Sequence, residues 1–283
     1  MTAVLLWSTV AVGFKLGLQL LTPLQLLLLG TLVSWLVFLL ASLWRRNFAL
    51  KANDRPLVVL LGMLNPTAYY IVLFAAYDRL PAHIAQPLNY TWAITLALLA
   101  VPLLGQHLSR QAMLGILVSY LGVVAVISSA DASGGGQTAW LGVALALAST
   151  LLWAAYWILQ TRSSSDPLGL MFWSFSAALP VIGLLTWLLD GWPALTLEHF
   201  AYGLWVGAIE MGVTFLLWQQ ALRLTASVAR ISQLIFFAPF LSLLLIHFVL
   251  GERISTYAVV GLMLIVAGVM LTNRAQSQSV TDP

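Results

Sequence analysis

The stretch GQHLSRQAMLGILVSYLGV (Gly105 to Val123) is met again, without a gap, as GERISTYAVVGLMLIVAGV (Gly251 to Val269). Gly105, Ser109, Ala112, Gly115, Gly122 and Val123 all recur 146 positions later. At the same displacement the LLW of Leu5 to Trp7 returns at Leu151 to Trp153. Gly62 meets Gly207 at 145, and RLPA (Arg79 to Ala82) meets RLTA (Arg223 to Ala226) at 144. Short apolar matches are cheap, because Leu and Gly are common. A nearly constant displacement across a whole half of the chain is the mark of an internal duplication.

What is duplicated is membrane-spanning. Hydrophobic residues make up 61% of the 283 and charged ones 7%, and the mean hydropathy is +0.97. A soluble domain carries roughly 25% charged residues. Windows of about 20 apolar residues, the length of a spanning helix, follow one another along the chain. The short alternating segments of a membrane β-barrel are missing. The expected fold is therefore all-α and integral to the membrane, with ten transmembrane helices near residues 2–21, 24–44, 56–77, 82–103, 109–129, 138–160, 167–189, 199–221, 226–249 and 254–273. The first run outlasts a signal-peptide core and lacks a cleavage site, so a cleaved leader is not expected.

Five helices per half is an odd number, so the second half must enter the membrane in the opposite sense, giving inverted repeats. The expected domains are 1–130 and 139–274, each a five-helix repeat, with a linker at 131–138 and a tail at 275–283. Positive charge tests the topology. With both termini cytoplasmic, Arg45, Arg46, Lys51, Arg55, Arg110, Arg162, Arg223, Arg230 and Arg274 lie inside, and only Arg79 and Arg253 outside. The net charge of +3 thus reads as topology, not as a nucleic-acid footprint. Cysteine is absent and the four histidines lack metal-ligand spacing, so no thiol chemistry, metal or cofactor is expected.

Polar groups inside spans are expensive, and each is a site candidate. Asn65 and Glu210 are equivalent under the duplication, at displacement 145, as are Asn89 and Gln233 at 144. Helical spacing joins Tyr69 to Asn65, groups Gln86, Asn89 and Tyr90 with Trp92 at their edge, and aligns Trp153, Tyr156, Trp157 and Gln160. Glu210, Thr214 and Trp218 form another stripe, and Trp7, Ser8, Ala11 and Lys15 another. Structural roles stand beside these: amides and hydroxyls tie helices together, and Lys15 and Arg230 can snorkel to an interface. Trp173, Trp187 and Trp192 read as interfacial belt residues. Gly115, Gly122, Gly261 and Gly268 put a small face on the fifth and tenth helices for close packing. Pro66, Pro87, Pro180 and Pro239 read as kinks or hinges.

Two five-helix halves and the terminal pattern LGERIS…GLMLIVAGVML resemble EamA-type members of the drug/metabolite transporter superfamily, along essentially the whole chain. LLWSTVAVGFK (Leu5 to Lys15), NYTWAITLALLAVPLLGQ (Asn89 to Gln106) and LLWAAYWILQT (Leu151 to Thr161) resemble the aromatic amino acid exporter branch. The GER at Gly251 reads GQH in the first half, so its charge is not repeated. The resemblance implies a bacterial inner-membrane exporter of amino acids working by alternating access, with a cavity lined by Trp7, Asn89, Tyr90, Trp92, Trp153, Tyr156 and Trp157. Aromatic faces would attract an ammonium group, while Glu210 and Lys15 could supply the charges that a zwitterion needs, with Glu210 a candidate proton carrier. The expected partners are amino acids and the lipid bilayer, with no nucleic acid and no obligate protein. An exporter of drugs or other small metabolites is the alternative. An intramembrane enzyme lacks its nucleophile–base or aspartate pair, a channel its charged rings, and an ATP-driven pump its phosphate loop.

Overall fold

The computed structural model describes residues 1–105, 107–132, 136–224 and 234–281, and statements of absence refer to these residues. They form helices and no strand. The chain opens with α1 (Thr2–Ser8) and α2 (Val10–Leu18), which are parted at Thr9. There the Thr9 hydroxyl donates to the Leu6 carbonyl at 2.8 Å, a back-bond that bends helices. A capping box starts α3 (Pro23–Arg45), Thr22 and Gln25 each accepting the other's backbone N–H, with Pro23 in the first turn. Next come α4 (Arg55–Gly62), a π-helical segment at Met63–Ala68 around Pro66, and α5 (Tyr69–Arg79). A break at Thr91 parts α6 (Ala82–Tyr90) from α7 (Trp92–Leu104). The half closes on α8 (Arg110–Ala132).

The second half runs α9 (Gly136–Gln160), α10 (Pro167–Leu189), α11 (Leu197–Leu204), a π-helical segment at Trp205–Gly212, α12 (Val213–Leu224), α13 (Ala238–Leu250) and α14 (Thr256–Thr281). Its boundaries echo the first. Both ends of α10 fall 144 residues after those of α3, both ends of α13 fall 146 after those of α7, and α14 begins 146 after α8. Gly105 and Gly251, which end α7 and α13, both adopt the left-handed conformation, at φ 68° and 67°. Glycine takes that conformation without steric cost.

Among the described residues eight helical stretches are long and apolar enough to cross a membrane; Thr2–Leu18 and Leu234–Leu250 are shorter apolar helices. Several boundaries move from their expected places. The first span stops at Leu18, short of residue 21. Helix α8 continues to Ala132 and α9 starts at Gly136, which cuts into the expected linker. Helix α14 extends to Thr281, through most of the expected tail. Pro239 opens α13 instead of kinking a helix, at a position where its missing N–H is one of the first turn's orphans. The start of the ninth expected span, with Arg230 and Gln233, lies outside the described residues.

The glycine stripe does the packing that its spacing suggests. Helices α8 and α14 lie against each other along their length, Ser119 donating to the Ile265 carbonyl at 3.1 Å and Thr272 to the Ala112 carbonyl at 3.3 Å. At the other flank α3 packs on α10 and on the π-helical segment Trp205–Gly212. Trp173, Trp187 and Trp192 are exposed at the surface.

Candidate functional site

Between these flanks lies a cavity of about 320 Å³. Its walls are mostly aromatic. Trp153 is the hub: its ring centroid lies 4.6 Å from Tyr69, 5.7 Å from Tyr156, 5.9 Å from Phe215, 6.0 Å from Trp157 and 6.5 Å from Trp92. Phe215 carries the network to Trp7 at 5.8 Å, and Trp7 to Trp218 at 5.4 Å. Tilted and edge-on contacts of this kind are favourable, and they fix the rings that face the void. Polar atoms interrupt the aromatic wall in a few places. The Asn89 amide nitrogen donates to the Ser149 hydroxyl at 3.0 Å, and its oxygen accepts from Tyr69 at 3.4 Å. Half-buried Glu210 accepts from the Tyr70 hydroxyl at 3.0 Å. Gln86 Oε1 and Trp157 Nε1 are buried without a protein partner, although such atoms are costly to leave unpaired.

Of the expected site residues, Trp7, Tyr69, Gln86, Asn89, Tyr90, Trp92, Trp153, Trp157 and Glu210 line this cavity together. Asn65 and Tyr156 do not: they face a separate void of about 10 Å³, shared with Tyr70 and Met211. For Asn65 the helical spacing fails because the chain there leaves helical geometry (φ −141°, ψ 116°), whereas Tyr156 lies within the unbroken α9. Lys15 is not at the cavity wall either, as its Nζ donates to the Tyr77 carbonyl at 2.7 Å, in the last turn of α5. A cation there satisfies an orphan carbonyl and the helix dipole. Gln233 lies outside the described residues. Phe14, Tyr77, Phe215 and Trp218 line the cavity without having been selected. Trp218 had a legible signal in the Glu210, Thr214, Trp218 stripe, and the others had none.

Residues 1–128 and 140–274 match the EamA-like transporter family. The chain belongs to that family. This EamA-like protein is a transporter of small molecules embedded in the membrane, not an enzyme. It is 24% identical to an uncharacterized transporter of Clostridium kluyveri, over 92% of this chain and 86% of that protein. It is 24% identical to a protein of Streptantibioticus cattleyicolor named "Probable terminal-alkyne amino-acid exporter", over 79% of this chain and 75% of that one. A solved crystal structure superposes with a TM-score of 0.69 at 22% identity, covering 96% of this chain and 95% of the other, which supports the fold alone.

The two ends of the cavity in this EamA-like transporter differ. At the end near the chain termini it reaches Trp7, Trp218 and the surface-exposed Asn273. At the other end Phe14 packs edge-on against Phe74 and Tyr77, at 4.8 and 5.3 Å. Beyond them the Glu252 carboxylate accepts from the backbone N–H groups of Ala82 at 2.9 Å and His83 at 3.1 Å, and pairs with His83 Nδ1 at 2.6 Å. Burial pushes the Glu252 carboxyl up, but the His83 hydrogen bond, the two N–H groups and the His83 charge outweigh it and hold the carboxyl below the ordinary 4.5. A depressed carboxylate stabilises the fold fully above its unfolded value, and that stabilisation is lost as the pH falls through the folded one. The thermal stability of the wild type is therefore expected to exceed that of Glu252→Gln at neutral pH. The difference should shrink to nothing in acid below the ordinary glutamate range, as read by paired melting curves across pH.

Proposed function

We propose that this transporter exports amino acids, aromatic and other neutral ones with loose selectivity, by alternating access through the aromatic cavity. The observation that carries this reading is a mostly aromatic cavity wall interrupted by a few polar residues, Gln86, Asn89, Tyr90 and Glu210 among them. The Glu210 carboxylate suits an ammonium group, and the Tyr90 hydroxyl suits a carboxylate. The faces of Trp92 and Trp153 suit an apolar side chain and add cation–π attraction. The printed name of the Streptantibioticus cattleyicolor relative supports an amino acid substrate. Among the described residues no Lys, Arg or His lines the cavity, which argues against phosphate-bearing metabolites as cargo.

The architecture we propose is ten transmembrane helices in two inverted repeats, 1–130 and 139–274, in a bacterial inner membrane with both termini cytoplasmic. The repeated element boundaries, the paired π-helical segments and the two stretches matched to the family support the repeats. The nine-to-two distribution of Lys and Arg supports the orientation. Under it, the cavity opens toward the cytoplasm, where an exporter loads.

Counterflow of labelled amino acids into liposomes bearing the purified protein tests the substrate. Aromatic and aliphatic amino acids are expected to exchange saturably, and acidic and basic ones poorly. Trp92→Ala removes a half-buried wall residue and is expected to raise the half-saturation concentration by about tenfold, for ~1–2 kcal/mol of lost ring contact. No flux of any amino acid above that of empty liposomes would sink the substrate assignment.

A further inference from the structure

The contact between Glu252 and the start of α6 is built more strongly than a surface turn requires. Its partners lie 169 and 170 residues away in sequence. The first N–H groups of a helix have no intrahelical acceptor, and a carboxylate that takes two of them gains charge-assisted bonds at the positive end of the helix. Glu252 takes the N–H groups of Ala82 and His83 and adds the His83 ring, which is buried. Its own carbonyl is met by His247 Nδ1 of α13 at 3.0 Å. One residue in the α13–α14 turn therefore ties that turn to the helix bearing Gln86, Asn89 and Tyr90.

The surroundings are closed as well. Lys15 bonds to the Tyr77 carbonyl, within electrostatic reach of both Glu252 and Asp78. Leu80 and Ile84 are buried beside the contact. On the cytoplasmic side the Asp54 carboxylate likewise accepts from the backbone N–H groups of Ser164 and Ser165, at 3.2 and 3.0 Å, but these residues do not line the cavity, which reaches the surface at Trp7, Trp218 and Asn273. In sequence, the positions equivalent to Glu252 and His83 under the duplication are Gln106 and Ser227. Neither carries a charge, so the ion pair belongs to one repeat only.

We propose that Glu252 is a latch: by clasping the first turn of α6 it holds the extracellular end of the transport path shut, and its release opens the path outward. This rests on the alternating-access reading and on cytoplasmic termini. The latch acts by positioning α6 against the α13–α14 turn and does not touch cargo. Opening at that end must separate the two, which breaks the hydrogen bonds and the ion pair together. The uncharged equivalents at the other end leave the cytoplasmic-open state favoured at rest.

The chain has no cysteine, so Ala93→Cys places a single thiol at a half-buried position of the cavity wall. A membrane-impermeant thiol reagent, applied to intact cells or to inside-out vesicles, then reports which end is open. In the Ala93→Cys parent, labelling is expected to be slow from outside and fast from inside. Adding Glu252→Gln should raise the outside rate by about tenfold, a shift of about 1.4 kcal/mol in the population balance, and lower the inside rate. His83→Gln should give a smaller rise. Ala82→Pro should also raise it, deleting one donor while leaving Glu252 intact. The preceding Pro81 already has the extended backbone that a following proline requires (φ −55°, ψ 146°). Fast outside labelling of the parent would overturn the latch. So would unchanged rates in Glu252→Gln or, should that variant fail to reach the membrane folded, in His83→Gln and Ala82→Pro. The readout uses no substrate, so a failed amino acid panel and a failed latch are separate results.

Discussion

Gly268→Leu is expected to abolish the folded, monodisperse protein. Helices α8 and α14 approach through paired glycines. A Cβ on Gly115 would lie 2.6 Å from the Gly268 carbonyl oxygen, and one on Gly268 would collide with the Gly115 carbonyl oxygen and the Ser119 hydroxyl. Further along, a Cβ on Gly122 would sit 2.5 Å from the Gly261 oxygen, and one on Gly261 2.6 Å from the Gly122 oxygen. Apart from the Ser119 hydroxyl these neighbours are backbone, which cannot rotate away as the tip of a side chain can. A leucine must therefore force the helices apart, and small residues at such interfaces are what allow packing when lipid offers no hydrophobic drive. Overpacking costs about 1–3 kcal/mol where neighbours can yield, and here the Ser119–Ile265 and Thr272–Ala112 hydrogen bonds would be lost too. Size-exclusion profiles of detergent extracts should show an aggregated or absent peak. The contrast is Gly183→Ala. A Cβ there meets only the ends of Leu28 and Trp192, at 3.9 Å, and that variant should behave as the wild type. A normal profile for Gly268→Leu would mean that α8 and α14 can separate freely, contrary to this packing.

The glycine stripe was legible in sequence because a seven-residue spacing on one helix face survives folding unchanged. The same holds for Gln86, Asn89 and Tyr90 of α6, which reach the cavity as their spacing suggests. Periodicity fails where the backbone leaves the helix. Asn65 shares a face with Tyr69 on paper, yet the break at Asn65 and Pro66 sends it to a different void. It fails also for contacts made across the chain. Nothing local to Tyr70 indicates that its hydroxyl meets Glu210, 140 residues on. Nothing in GER announces that its glutamate binds the N-terminus of α6. Lys15 was legible as a buried charge but not as the partner of a carbonyl, because an orphan at the end of α5 is visible only once the helix end is placed beside it.

Glu210→Gln is expected to uncouple transport from a pH gradient and to leave a weaker, gradient-independent exchange. Glu210 is the one acid among the described residues that line the cavity, and it has no cation beside it there. The position equivalent to it at the displacement of 145 is the uncharged Asn65, so no second carboxyl there competes for its proton. A group in that position can bind a proton in one state and, once it has released that proton to solvent in the other, bind the substrate's ammonium as a carboxylate, which is the requirement for exchange. Glutamine keeps the shape and can still accept from the Tyr70 hydroxyl, so the local packing should hold. With one proton exchanged per substrate, a gradient of one pH unit, about 1.4 kcal/mol, sustains at most about tenfold accumulation. In liposomes, wild-type accumulation should follow the imposed gradient toward that limit, and Glu210→Gln should fall to a ratio of about one, with counterflow persisting. Accumulation that still follows the gradient in Glu210→Gln would move the proton site elsewhere. A wild type indifferent to the gradient would leave Glu210 as the ammonium partner of a uniporter. The Tyr70 hydroxyl then serves to hold that carboxylate toward the cavity, and Tyr70→Phe should weaken exchange without creating any gradient dependence.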